Sequence, residues 1–161
     1  MSAAEKSANE IESLVLKAAR GGGLPLGLAE DLAMASAYLD LDALRACPCA
    51  GGAAGAISTA LDRVAAGEGA QDVTADAALI AAYVALSEQQ FRQLLIWEVT
   101  ESGATFKAYD DEKPVPDNPK GRRIVPPSLL DHLNALAAKT LVPETGSSRS
   151  AGAGAGLTDN D

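Results

Sequence analysis

Aromatic side chains make up only 4% of this 161-residue sequence, histidine occurs once and cysteine twice. Each scarcity excludes something. With few rings to fill space, the 47% hydrophobic fraction rests largely on Ala and Leu, so the core must be tight and its helices close together. His132, Cys47 and Cys49 are the only soft metal donors, so a closed zinc site would have to borrow a carboxylate, and no metal is expected. Cys47 and Cys49 flank a single proline, where a disulfide is strained relative to ordinary bridge geometry, and reduced, partly buried thiols are the plain expectation. A redox role for the pair stays open beside it.

Cations are also scarce. Lys and Arg number 13 against 22 Asp and Glu, a net charge of -9 that repels phosphates, so neither nucleic acid nor a membrane surface is an expected partner. The longest apolar run, Ala77 to Leu86, is too short for a bilayer core about 30 Å thick. The opening MSAAEKSANE has no apolar segment of the secretory type, and a cytoplasmic location is expected.

The most informative stretch runs from Asn9 to Leu44. Residues 1–6 should fray, and Ser7 with Glu10 forms a capping-box pattern for a first helix. Its buried face comprises Ile11, Leu14, Val15, Ala18 and Ala19, and Gly21 is placed to take the left-handed stop conformation. Gly21, Gly22 and Gly23 are more glycines than a stop requires, which points to close approach by another segment or a ligand, or to a tight turn. Pro25 suits the first turn of a second helix with Leu28, Leu32, Ala35 and Leu39 inward and Glu30 and Asp31 outward; Asp40 then caps a short helix to Ala46.

Opening segment EIESLVLKAARGGGLPLGLAEDLA and ending TLVPETGSSRSAGAGAGLTDND together resemble an uncharacterised bacterial family, the domain of unknown function DUF3726. The resemblance implies kinship and no particular activity.

Further along, AGGAAGA reads as a low-complexity loop before a helix from Ile57 to Ala66. Gly52, Gly55, Ser58 and Thr59 superficially suggest a phosphate loop, but Ile57 stands where that motif needs lysine. Thr74 can cap an all-round apolar helix carrying Ala78, Leu79, Ala82, Tyr83 and Leu86, with a polar break from Ser87 to Gln90. Leu94 to Val99 and Ala104 to Tyr109 flank a turn and predict a β-hairpin with Trp97 as a packing anchor; Asp110 to Gly121 is a charged, proline-rich loop, and Arg123 to Val125 a short strand. A last helix from Pro126 buries Leu129, Leu133, Leu136 and Thr140. His132 lies one step off that face, poorly placed for orientation by Asp131, and no Gly-x-Ser-x-Gly elbow is present.

These readings predict an α+β fold, predominantly helical, with an N-terminal helical hairpin and a small antiparallel sheet packed by the last helix. Residues 1–142 form a single globular domain and 143–161 a Gly/Ala/Ser-rich tail that is disordered, docked back on the domain, or functional. The first expectation for function is a non-catalytic accessory or interaction protein with a protein partner or a second copy, and without a cofactor. The alternative is an enzyme or enzyme subunit that binds an anionic small molecule where the Gly21 to Gly23 hinge meets the tail. Lys17, Arg20 and Arg149 would hold the anion, Gly21 and Gly23 would allow backbone approach, and Asp159 and Asp161 would act as acid/base groups or cation ligands.

Overall fold

The computed structural model describes residues 4–50, 52–90, 95–100, 102–108 and 121–141. The tail and the loop 109–120, with the expectations attached to them, lie outside these residues.

Residues 4–6, expected to fray, are held in a strand. Ala4–Ser7 forms strand β1, paired antiparallel with β5, Arg122–Val125, in the register Ala4 to Val125 and Ser7 to Arg122. Arg122 secures it, donating to the Glu5 carbonyl at 2.9 Å and facing the Glu5 and Glu10 carboxylates at 3.8 and 3.4 Å. Helix α1, Ala8–Gly21, begins at the predicted capping box: Ser7 N–H donates to Glu10 at 2.8 Å and Glu10 N–H to Ser7 Oγ at 3.3 Å. Ile11, Val15, Ala18 and Ala19 are buried, as their spacing predicts, while Leu14, expected with them, is half-buried.

The helix ends in a Schellman motif, with Leu24 N–H donating to Ala19 C=O and Gly23 N–H to Arg20 C=O, both at 3.0 Å. Gly23, at φ +94°, is therefore the left-handed residue rather than Gly21, because the helix runs on through Gly21 and Gly22 stays right-handed. Gly21 and Gly22 answer a different need, taken up below.

Helix α2, Leu26–Ala35, follows Pro25 and completes the helical hairpin, leading into a 3₁₀ turn at Ser36–Tyr38. The short helix expected after Asp40 is absent. Asp40 Oδ1 instead accepts the Asp42 and Ala43 amides at 3.2 Å each, which makes a turn; so few residues before Pro48 cannot recover the cost of helix nucleation. Helix α3, Ala53–Ala65, takes in most of the stretch read as a loop, and its last turn closes with Gly67 at φ +79°.

Strand β2, Gln71–Thr74, carries Val73 as its one buried residue and shows no period long enough to be read from sequence. Thr74 is thus a strand residue, and Asp76 caps the next helix through the Ala78 amide at 2.9 Å. That helix, α4, Ala77–Gln90, runs through the expected polar break, and Ser87 and Glu88 are buried. Strands β3, Leu95–Val99, and β4, Gly103–Ala108, form the predicted hairpin, with β2 on the other side of β4. Half-buried Trp97 pairs with fully buried Phe106.

Helix α5, Pro127–Ala138, buries Leu130, Leu133 and Leu136; Leu129 is half-buried and Thr140 lies exposed beyond the helix end. The α+β class is as expected, with one change of partner: α5 lies along α1, while α3 and α4 cover the three-stranded sheet. Gly21 permits this packing, since a Cβ there would overlap the Leu136 carbonyl of α5.

Candidate functional site

The anion site expected at the glycine hinge is not assembled from the described residues. Lys17 is exposed beside Lys6, Asn9 and Ser13. Arg20 turns onto its own helix end and donates to the Leu24 carbonyl at 3.3 Å. A Cβ on Gly21 would overlap the carbonyl of Leu136 on α5, and one on Gly22 would overlap the carbonyl of Cys49. The close approach inferred from the glycine run is therefore real, and protein backbone makes it. Gly23 faces open space. Arg149, Asp159 and Asp161 lie outside the described residues.

The hinge leads instead to the thiols. Because Gly22 has no side chain, the loop after Asp40 lies directly on α1. Cys49 is fully buried there, its Sγ 3.8 Å from the Val15 carbonyl. From β5, Arg123 ties down the start of the same loop, donating to Leu39 C=O at 3.0 Å and Ser36 C=O at 2.8 Å. Arg123 is thus a structural clamp, and its partial burial works against its charge.

Cys47 lies at the surface of this assembly. It is half-buried and lines a cavity of about 450 Å³ with Asp42, Arg45, Pro126, Ser128, Leu129 and His132. Pro126 to Leu129 are the start of α5, which no side chain caps, so the positive end of the helix dipole faces the cavity. His132 follows Ser128 by four residues, which places both on one face.

These surroundings favour the thiolate. The Cys49 thiol and backbone amide, then the His132 charge, bring the Cys47 pKa down to about 6 against the opposing cost of burial. Cys49 moves the other way: its proximity to the Cys47 sulfur and its burial both hold it as a thiol. The Cys49 thiol donates to the Val15 carbonyl at 3.8 Å, and its closeness to Cys47 favours charge on the outer sulfur. Chemically, the pair offers a nucleophilic sulfur open to solvent and a protonated sulfur behind it.

In the sequence Cys47 and His132 stand apart, and the acidic neighbour that His132 offers is Asp131. The pairing was hidden because the residues are far apart in the chain, and only the packing of α5 against α1 brings them to one cavity. Both cysteines are free, as expected. Among the described residues no group of three or more His, Cys, Asp and Glu could hold a metal ion, and no helix is long and apolar enough to cross a membrane.

Comparison with known proteins reaches part of this region. Residues 6–49 match the family model described as a protein of unknown function, DUF3726, in agreement with the resemblance of the opening segment; the ending lies beyond the matched residues. No match is found among curated proteins or among solved structures.

Proposed function

We propose that this chain is a thiol–disulfide exchange protein in which Cys47 is the attacking thiolate and Cys49 the resolving thiol. The supporting observation is the position of half-exposed Cys47 in a cavity with Arg45, His132 and the start of α5, one residue from a buried second thiol. Partly open, electropositive surroundings are those in which cysteines react. The same surroundings favour an anionic disulfide as substrate.

The chemistry closes without another reagent. Cys47 thiolate attacks one sulfur of a disulfide, the other sulfur leaves as a thiolate, and Cys47 is left in a mixed disulfide. Cys49 then gives up its proton, which ends on the departed thiolate, and its sulfur attacks Cys47 to expel the second half. The cysteine pair loses two electrons and the substrate gains them. Strain in a bridge across one residue makes that disulfide easily reduced, so it is readily passed on.

The test uses 5,5′-dithiobis(2-nitrobenzoate), an anionic disulfide whose released thiolate is coloured. Wild-type protein should release two thiolates per chain, Cys49→Ser one with the mixed disulfide retained, and Cys47→Ser none at a comparable rate. The thiolate fraction of Cys47 rises as pH rises through its pKa, so the rate should be half-maximal near pH 6, against about 8.5 for an ordinary thiol. Arg45, Asp42, Cys49 and His132 are the charged or titratable groups facing the sulfur, and His132→Gln should move the midpoint upward. A wild-type midpoint at the ordinary thiol value would refute the proposal.

A non-catalytic interaction protein remains the competing reading. The exposed Leu26, Val99, Ile124 and Leu141 add nothing to it, since they lie on separate parts of the fold and singly scattered apolar residues are ordinary on a surface. An inert Cys47 in the same assay would favour it.

A further inference from the structure

A second cavity, of about 360 Å³, opens between α2, α3 and α4, lined by Asp31, Ser58, Leu61, Asp62, Ala65, Tyr83, Leu86 and Ser87. Sequence reading turned Asp31 outward with Glu30. Glu30 is exposed, but Asp31 is half-buried and faces the cavity. Asp62, one turn from Ser58 on α3, is exposed and stands at the mouth.

Two hydroxyls in the cavity are unusual. Ser58 is 6% exposed and Tyr83 2%, yet neither oxygen has a hydrogen-bond partner in the protein. Buried hydroxyls normally find one. The buried Ser36 shows the usual solution in this same chain, donating to the Ala33 carbonyl one turn back at 2.5 Å. Ser58 does not turn back to its helix. It stands close enough to Asp31 to favour the carboxylate, without a bond of normal geometry between them.

We propose that this cavity is a binding site for a small organic ammonium ion, held by the Asp31 and Asp62 carboxylates and the Ser58 and Tyr83 hydroxyls. The sign follows from the lining, which among the described residues contains two carboxylates and no Lys, Arg or His. An organic ligand follows from the volume, which is ample for several heavy atoms, and from the apolar wall of Leu61, Ala65 and Leu86. A metal ion is disfavoured because hard cations take six or more oxygens, and no group of three or more metal-ligating side chains occurs among the described residues. The electrostatics agree with this assignment. Burial, then the charges of Asp62 and Glu30, hold the Asp31 carboxyl above its ordinary range, and a bound cation would relieve all three. Burial, against the opposing influence of the neighbouring Ser58 hydroxyl, and the Asp31 charge hold the Tyr83 phenol protonated, which leaves its oxygen a neutral acceptor.

Titration calorimetry with n-butylammonium chloride tests the site, with sodium butanoate as the charge control and magnesium and calcium chloride as competitors. Saturable binding of one n-butylammonium per chain is expected, with no binding of butanoate and no competition by either metal. Asp31→Asn and Asp62→Asn should each weaken binding at least about tenfold, the scale of a lost charge-assisted hydrogen bond. Tyr83→Phe should weaken it severalfold without lowering the melting temperature, since that hydroxyl makes no bond within the protein. Asp62 is exposed, so Asp62→Asn tests the carboxylate role without threatening the fold. Cys47→Ser should bind n-butylammonium as wild type does, which separates this site from the thiol cavity. Absence of saturable binding, equal binding by Asp62→Asn and Tyr83→Phe, or equal binding of butanoate would each overturn the proposal.

Discussion

Gly21→Ala should lower the stability of this chain by at least about 3 kcal/mol, beyond the usual range for overpacking. The added methyl would occupy the space of the Leu136 carbonyl oxygen. A flexible side chain could swing aside, but a carbonyl inside α5 cannot move without shifting the helix that buries Leu130, Leu133 and Leu136. Gly22→Ala meets the Cys49 carbonyl in the same way, so it should loosen the thiol loop and change Cys47 reactivity along with stability. Gly27→Ala is the control. It lies exposed in α2 with nothing within 4 Å of the added carbon, so helix propensity alone should act and stabilise by about 0.5–1 kcal/mol. Urea unfolding monitored by circular dichroism reads all three; a Gly21→Ala protein as stable as wild type would contradict the backbone contact.

The second large effect is expected at Phe106. Among the described residues it is the largest fully buried side chain, at the centre of β4, with β2 on one side, β3 on the other and α3 and α4 over the sheet. In a chain with so few aromatics, little else is bulky enough to fill the space it would vacate. Phe106→Ala should cost about 3–5 kcal/mol, the range for losing a buried ring and leaving a cavity. Phe106→Leu keeps most of the volume and should cost about 1.5 kcal/mol or less. Thermal unfolding distinguishes the two, and equal losses would mean that the site collapses around the deletion.

What could be read in the sequence was what depends on near neighbours. The Ser7–Glu10 capping box, the buried face of α1 and the hairpin around Gly103 each involve residues a few positions apart, and each formed as read. Failures arose where a distant partner decides. Residues 4–7 have no strand character of their own and become β1 because β5 supplies the other half of the ladder. Leu130 replaces Leu129 on the buried face because α1, absent from any local window, sets which side of α5 faces inward. Both cavities follow the same rule. Cys47 and His132, or Asp31 and Tyr83, gain chemical meaning only when separate helices meet.

The clasp of Arg122 on Glu5 joins residues 117 positions apart. Such long-range closure comes late in folding, because a large loop must be ordered before any contact rewards it. During synthesis from the N-terminus, the helical hairpin and both cysteines emerge well before β5 and α5. Cys47 then stands beside Cys49 but without His132 or the start of α5, so only part of what favours its thiolate is in place. The two halves of the thiol cavity meet only after α5 has been made, so under the proposed thiol chemistry Cys47 gains its full surroundings later than its place in the chain suggests.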